Sequence, residues 1–280
     1  MIRRIIFLLV LGSACAVRAG QTPISSTQTA AEIEDIGEVT PIDSDFRSQV
    51  RARVTTPHEY TSNAQLTGYH DSSDYLFFPA FIAGYTTPLP SHFTLDVAAR
   101  LEMGVFSEND DRSFAGYSLA STLSWQPTPS AMRIFIGVEP YRYDSLDTSD
   151  LITQALGLSA GTDWGFAFNH GLSAAYAGYS FTDFLADPTI DSKTQHRVVL
   201  GLTHQFRPDL YAQLFYAWQY SDFYNDDRHD SKHLLGLGLT YQIRRNFFTT
   251  LSGNWSTNDS DAVKASYESA GASLGFTLQF

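Results

Sequence analysis

The final third of the chain alternates large apolar side chains with small or polar ones, and a recurring phrase marks the alternation. It occurs as LGLTHQF at 200–206, LGLTYQI at 237–243 and LGFTLQF at 274–280, each copy starting 37 residues after the one before. In the last copy Leu274, Phe276, Leu278 and Phe280 alternate with Gly275, Thr277 and Gln279. A period of two puts the first set on one face of a strand and the second on the other, whereas a helix would scatter the apolar residues around its surface. One face is large and greasy, the other small and polar. A soluble sandwich with its greasy face in a core alternates in the same way, so the period alone does not choose between a sandwich and a membrane barrel.

The connections between the alternating segments explain the interval. Short turns occur at Thr87-Pro88-Leu89-Pro90, Gln126-Pro127-Thr128-Pro129, Asn169-His170-Gly171, Arg207-Pro208-Asp209 and Arg244-Arg245-Asn246, with Pro, Gly and Asn supplying turn geometry. Long polar connections alternate with them: SENDDRS (107–113), DSLDTSD (144–150), ADPTIDSKT (186–194), YNDDRHDSK (224–232) and STNDSDAVKAS (256–266). Between these the pattern predicts strands at 75–86, 93–106, 114–125, 132–143, 153–164, 171–184, 195–206, 210–223, 233–243, 247–256 and 268–280. One more strand is needed before 75–86. The segment 46–56 supplies it, with Phe46, Val50, Ala52 and Val54 on one face, and 63–71 is the substitute.

The amino terminus reads as an export signal. Met-Ile-Arg-Arg is followed by an apolar run from Ile5 to Leu11 and by Val17-Arg18-Ala19, so residues 1–19 form a signal peptide cut after Ala19. A second reading lipidates Cys15, the single cysteine, although Gly12 sits where such a signal wants an aliphatic side chain. No later segment reaches the roughly 18 to 20 apolar residues of a transmembrane helix. The signal peptide contains Arg3, Arg4 and Arg18 and no acid, so of 18 basic residues 15 remain against 30 acidic ones. That excess excludes a nucleic-acid partner, whose phosphates call for Lys and Arg. The 20 Phe, 15 Tyr and 4 Trp, without any long apolar run, fit strands with one greasy face.

Short turns on one side, long acidic loops on the other and an even strand count describe an all-β, single antiparallel up-and-down transmembrane β-barrel of about 12 strands. It is expected to occupy 46–280 in the outer membrane, among lipid and lipopolysaccharide, after an acidic flexible periplasmic segment at 20–45. On 93–106 the lipid face would carry Phe93, Leu95, Val97, Leu101, Met103 and Val105, and on 210–223 Leu214, Tyr216, Trp218 and Tyr220. Trp125, Trp164, Phe206, Tyr241 and Trp255 fall near strand ends, where aromatic girdles sit. The apolar alternation ending on Phe280 resembles the last strand of Gram-negative outer-membrane barrels. The resemblance implies that Leu274, Phe276, Leu278 and Phe280 form the signal read by the barrel-assembly machinery. Tyr60-Thr61-Ser62-Asn63, ahead of the SDYLFFPAFIAGY strand, resembles β-barrel porins associated with polysaccharide export.

Function is expected to lie in the lumen. The inward set is read as mostly small, for example Gly236, Gly238 and Thr240, or Ser173, Ala175 and Ala177, which leaves room for a narrow passive channel for small solutes or saccharides. The charged lumenal candidates are Arg47, Arg51, Arg53, Asp96, Arg100, Glu102, Arg133, Glu139, Asp163 and Arg197. They either set selectivity or brace the wall as ion pairs.

Strand number and length also resemble outer-membrane phospholipase A, and the resemblance implies a serine nucleophile with a histidine base. His70-Asp71-Ser72 and Arg228-His229-Asp230-Ser231 are the candidates for a lipase-like site, and Asp226, Asp227, His229 and Asp230 for a protease-like one. All fall in expected loops and lack the His-x-Ser-Asn-Gly run, so no catalytic residue is assigned. Acid clusters such as Glu108, Asp110 and Asp111 could bridge ions in a surface-binding barrel, but no cofactor or metal is expected.

Overall fold

The computed structural model describes residues 9–11, 39–41, 48–63, 73–128, 130–262 and 265–280. Sixteen strands are present among them. β1 (Leu9–Leu11) and β2 (Val39–Pro41) pair with each other in antiparallel fashion. The remainder form one antiparallel sheet: β3 (Gln49–Thr55), β4 (His58–Thr61), β5 (Asp74–Phe77), β6 (Ala80–Leu89), β7 (Phe93–Phe106), β8 (Phe114–Trp125), β9 (Arg133–Ser145), β10 (Leu151–Phe168), β11 (Ser173–Asp187), β12 (Lys193–Arg207), β13 (Leu210–Phe223), β14 (His229–Arg244), β15 (Phe247–Ser260) and β16 (Tyr267–Gln279).

The sheet closes on itself. β16 pairs with β15 on one edge and with β3 and β4 on the other, through Thr277↔Thr55 and Gly271↔Thr61. β7 likewise pairs with both β5 and β6. β3 with β4, and β5 with β6, are therefore halves of two broken staves, and the barrel has twelve staves. The breaks fall at Pro57 and Pro79, whose missing N–H groups cannot join a ladder. Each carbonyl still accepts across the gap, from Phe78 N and Met103 N, both at 3.0 Å.

The first stave corresponds to the predicted 46–56 strand and reaches further, to Thr61. Residues 46, 47 and 64–72 lie outside the described ones, and with them Phe46, Arg47 and most of the substitute segment 63–71. Several strands outrun their predicted ends: β10 spans 151–168, β14 starts at His229 and β15 runs to Ser260. Backbone ladders do not need apolar side chains, so hairpins continue past the greasy belt into what composition reads as loop.

Side chains alternate as the period requires. Leu101, Met103, Val105, Ile134, Ile136, Leu200, Leu202, Leu235, Leu237 and Leu251 point away from the barrel and are exposed. Leu274, Phe276 and Phe280 are exposed on that outer face as well.

The inner face departs from its reading in two respects. On β11 the inward set is Ala174, Tyr176, Gly178, Ser180 and Thr182, so Ser173, Ala175 and Ala177 belong to the outer face. In S-A-A-Y-A-G both faces are small, and only the buried Tyr176 decides the register. In addition, the inward glycines are not open space. Gly104, Gly116, Gly157, Gly161, Gly201 and Gly236 are the direct cross-strand partners of Phe114, Tyr143, Phe184, Phe135, Tyr176 and Phe215. Five of the rings occupy the volume that a Cβ at their glycine would fill, and Phe184 comes within 3.0 Å of one at Gly157. The rings thus lie along the wall over the neighbouring strand. Phe215 joins Tyr176, Val199, Ala217 and Leu234 in a buried apolar band on the inner wall.

Candidate lumenal site

Six of the charged residues named from the sequence pair with an opposite charge: Arg51 with Asp96, Arg100 with Glu102 and Arg133 with Asp163. Arg133 on β9 and Asp163 on β10 are direct cross-strand partners, 8% and 6% exposed. The guanidinium donates from Nε (2.9 Å) and NH2 (2.6 Å) to Asp163 Oδ2, a forked charge-assisted pair. Arg51 on β3 donates to Asp96 Oδ2 on β7 at 2.9 Å, across β6, and Thr86 also donates to that oxygen. Arg100 donates to Glu102, and Tyr143 Oη donates to the same carboxylate at 2.7 Å. These three pairs tie β3, β6 and β7 together, β7 to β9, and β9 to β10. Arg53 and Glu139 face inward on β3 and β9, and Arg197 lies between Ser180 and Gln219 on its neighbours.

A second group, of which the sequence reading placed only Arg197 among the charged lumenal candidates, occupies β11 to β15 nearer the long-loop end. Three successive rungs cross these strands. The uppermost is Phe184–Lys193–Phe223, the next Thr182–Gln195–Ser221–Asp230, and the third Ser180–Arg197–Gln219–Lys232–Asn258. Lys193 is 1% exposed, and Lys232 and Asp230 are buried. Two cations lie over the Phe223 ring, Lys193 Nζ at 4.9 Å and Arg228 Cζ at 4.5 Å from its centroid. Arg228 forks onto Asp230 at 2.8 and 2.5 Å. Gln195 Oε1 and Thr182 Oγ1 are buried without a hydrogen-bond partner among the described residues. In the turn above, burial pushes the Asp191 carboxyl above the usual range, against the pull of Lys193 and Arg228.

Lys193 and Lys232 escaped the sequence reading because each closes a Ser/Asp-rich run read as loop. A strand entering the wall is signalled there only by alternation, with Lys193, Gln195, Arg197 and Val199 inward. Glu59 on β4 lies beyond the end of the strand predicted at 46–56 and so was missed. It is 3% exposed beside Asn254, with Oε2 unpartnered.

The family model described as "Putative beta-barrel porin 2" matches residues 176–280, the last six strands. Among solved structures, the COG4313 outer membrane channel from Pseudomonas putida F1 superposes with a TM-score of 0.54 at 11% identity, covering 87% of this chain and 100% of that one. The KdgM porin in complex with disordered oligogalacturonate gives 0.46 at 9% identity over 81% and 99%. The translocator domain of the autotransporter NalP from Neisseria meningitidis gives 0.48 at 11% over 94% and 100%. No curated protein matches. The chain is a closed antiparallel β-barrel of twelve staves, similar in fold to the COG4313 outer membrane channel. At these identities the likeness to solved structures is one of fold.

Proposed function

We propose that the barrel is a narrow passive channel for small polar solutes, with anions and acidic or neutral saccharides as the favoured class. The observation that carries this reading is the three-rung ladder on β11 to β15. It presents Lys193, Arg197 and Lys232 with Gln195 and Gln219 along the inner wall, beside the aromatic rings of Phe184 and Phe223. Buried in the wall, the cations act through their field, which favours anions along the lumen. Twelve staves lie between barrels that side chains fill and those that leave open water. The aromatic–glycine pairs hold bulky rings against the wall, which favours a path through the middle.

On the same reading the Arg51–Asp96, Arg100–Glu102 and Arg133–Asp163 pairs brace the wall. Residues 1–19 are the export leader removed after Ala19, 20–45 is a periplasmic segment, and Leu274, Phe276, Leu278 and Phe280 form the strand handed to the barrel-assembly machinery. Liposome swelling tests the solute class. Proteoliposomes should admit a small uronate faster than a neutral sugar of equal size. Equal rates, or exclusion of both, would count against the ladder as a selectivity element.

A further inference from the structure

The inner wall is packed unevenly. On β12, β13 and β14 every inward position from Lys193 to Thr203, Gln213 to Phe223 and Asp230 to Thr240 is buried. On that side large rings lie over glycines, Tyr176 over Gly201 and Phe215 over Gly236, and build a thick layer. On β7 to β10 the inward set includes Ala98, Arg100, Ser118, Ala120, Gly137 and Ser159, and these keep partial solvent exposure. Small side chains make a thin wall and leave the volume beside them to water. β13 stands six staves from β7, on the opposite wall. The open part of the lumen is therefore displaced from the barrel axis, towards β7 to β10 and away from the ladder.

The charges bordering this lane are graded by depth. Arg51 pairs with Asp96 at side-chain exposures of 29% and 12%, and Arg100 with Glu102 at 13% and 3%. In both pairs the carboxylate lies deeper in the wall and the guanidinium nearer the water. Arg53 is half-buried and shares a rung with Arg100, through Arg53↔Ile82 and Ile82↔Arg100. Two strand spacings put their Cα atoms about 10 Å apart. Arg51 stands two positions from Arg53 on the same face of β3. Among the inward acids described on β3 and β6 to β10, Glu139 alone keeps partial exposure, whereas Asp96, Glu102 and Asp163 are buried. A guanidinium has five donors in one plane, so it holds a wall carboxylate on one edge and meets a passing anion on another.

The serine and histidine candidates on the outer wall do not meet. Ser231 Oγ accepts from Trp218 Nε1 at 3.1 Å, while His229 Nδ1 faces Asp222 Oδ1 at 3.1 Å and Tyr220 Oη at 3.3 Å. The cluster His70-Asp71-Ser72 lies outside the described residues. We propose that solutes travel eccentrically, along β7 to β10, and that Arg51, Arg53 and Arg100 are the specificity-determining residues that meet their anionic groups. The inference rests on the channel reading, and adds where the solute runs and which side chains touch it. The favoured solute is a small organic anion, a carboxylate or sulfonate whose body passes between Ala and Ser side chains. Lys193 and Lys232, buried on the opposite wall, bias the same lumen through their field, whereas the three arginines act by contact.

The test uses the full-length barrel carrying Cys15→Ser, so that each introduced cysteine is the only one, with folding checked by heat-modifiable gel mobility. Ala120→Cys and Ser159→Cys put a thiol on the lane. Ser221→Cys and Ser256→Cys put one in the packed half, where the parent residues are 0% and 4% exposed. Single channels of each are recorded with a sulfonatoethyl or a trimethylammonioethyl methanethiosulfonate, reagents of opposite charge. The lane variants should react, with unitary conductance falling by about half, while the packed-half variants keep theirs. At Ala120→Cys the sulfonate reagent should react about threefold faster than the cationic one, and Arg100→Gln with Glu102→Gln should erase that preference although net charge is unchanged. Arg53→Gln, which should lower the same preference, decides the point if the double change does not fold. Steady current that lane modification leaves untouched, a block through Ser221→Cys instead, or a preference that survives the arginine changes would overturn the proposal. A folded parent without current sinks the channel reading itself, and the path with it.

Discussion

Tyr176 on β11 and Gly201 on β12 are direct cross-strand partners on the inner wall, and the ring covers the glycine so closely that a Cβ there would lie 1.9 Å from Tyr176 Cζ. The same relationship joins Phe215 to Gly236 and Phe114 to Gly104, with gaps of 2.2 and 2.3 Å to the nearest ring carbon. Phenyl groups that would otherwise project into the lumen are thereby laid flat.

Gly201→Ala should therefore destabilise the barrel by about 1–3 kcal/mol, the usual cost of overpacking a well-fitted site. Gly253→Ala serves as the control, because the nearest atom to a Cβ there is Gly271 O at 3.8 Å. Urea unfolding of the refolded protein in detergent checks both, and equal midpoints would contradict the wall-packing account.

Arg133 and Asp163 form a buried, forked pair between adjacent strands. Removing one partner leaves a buried charge unpaired, so Asp163→Ala should cost about 3–5 kcal/mol. The double change Arg133→Met with Asp163→Leu should recover most of that loss, because an apolar pair of similar volume needs no desolvation of charge. The double-mutant cycle reads the coupling directly.

Lys193→Gln with Lys232→Gln removes two buried cations from the ladder while keeping side-chain length. Anion over cation permeability, read from the reversal potential in a salt gradient, should fall by roughly two- to threefold. Arg133→Met with Asp163→Leu should leave that ratio unchanged, because it removes one charge of each sign.

The Asp191 carboxyl, raised by burial, takes up its proton at a pH above the normal carboxylate range. Protonation deletes a negative charge beside Lys193 and Arg228, so anion preference should increase as pH falls through that titration. Asp191→Asn should hold the higher preference at all pH values and flatten the profile.

The strands from 93 to 280 were legible because large and small residues alternate there without ambiguity, and all twelve staves follow from turns and loops that take turns. What alternation could not supply was anything set by a neighbouring strand. Gly201 reads as empty space until Tyr176 is placed beside it. The β11 register was misread at Ala175 and Ala177, where neither face is large. Lys193 and Lys232 were hidden by Ser/Asp-rich composition, although both continue the inward series of their strands. The Asp222–His229 pair was invisible for a related reason, since its residues straddle the 224–228 loop and meet only when β13 and β14 pair.

Single-channel conductance of the refolded full-length barrel in a planar bilayer, recorded in salt gradients of both directions, tests the central claim most directly. The account predicts steady unitary currents with a reversal potential of the sign given by anion preference, reduced when Lys193 and Lys232 are replaced by Gln. A properly folded barrel that passes no current would contradict it.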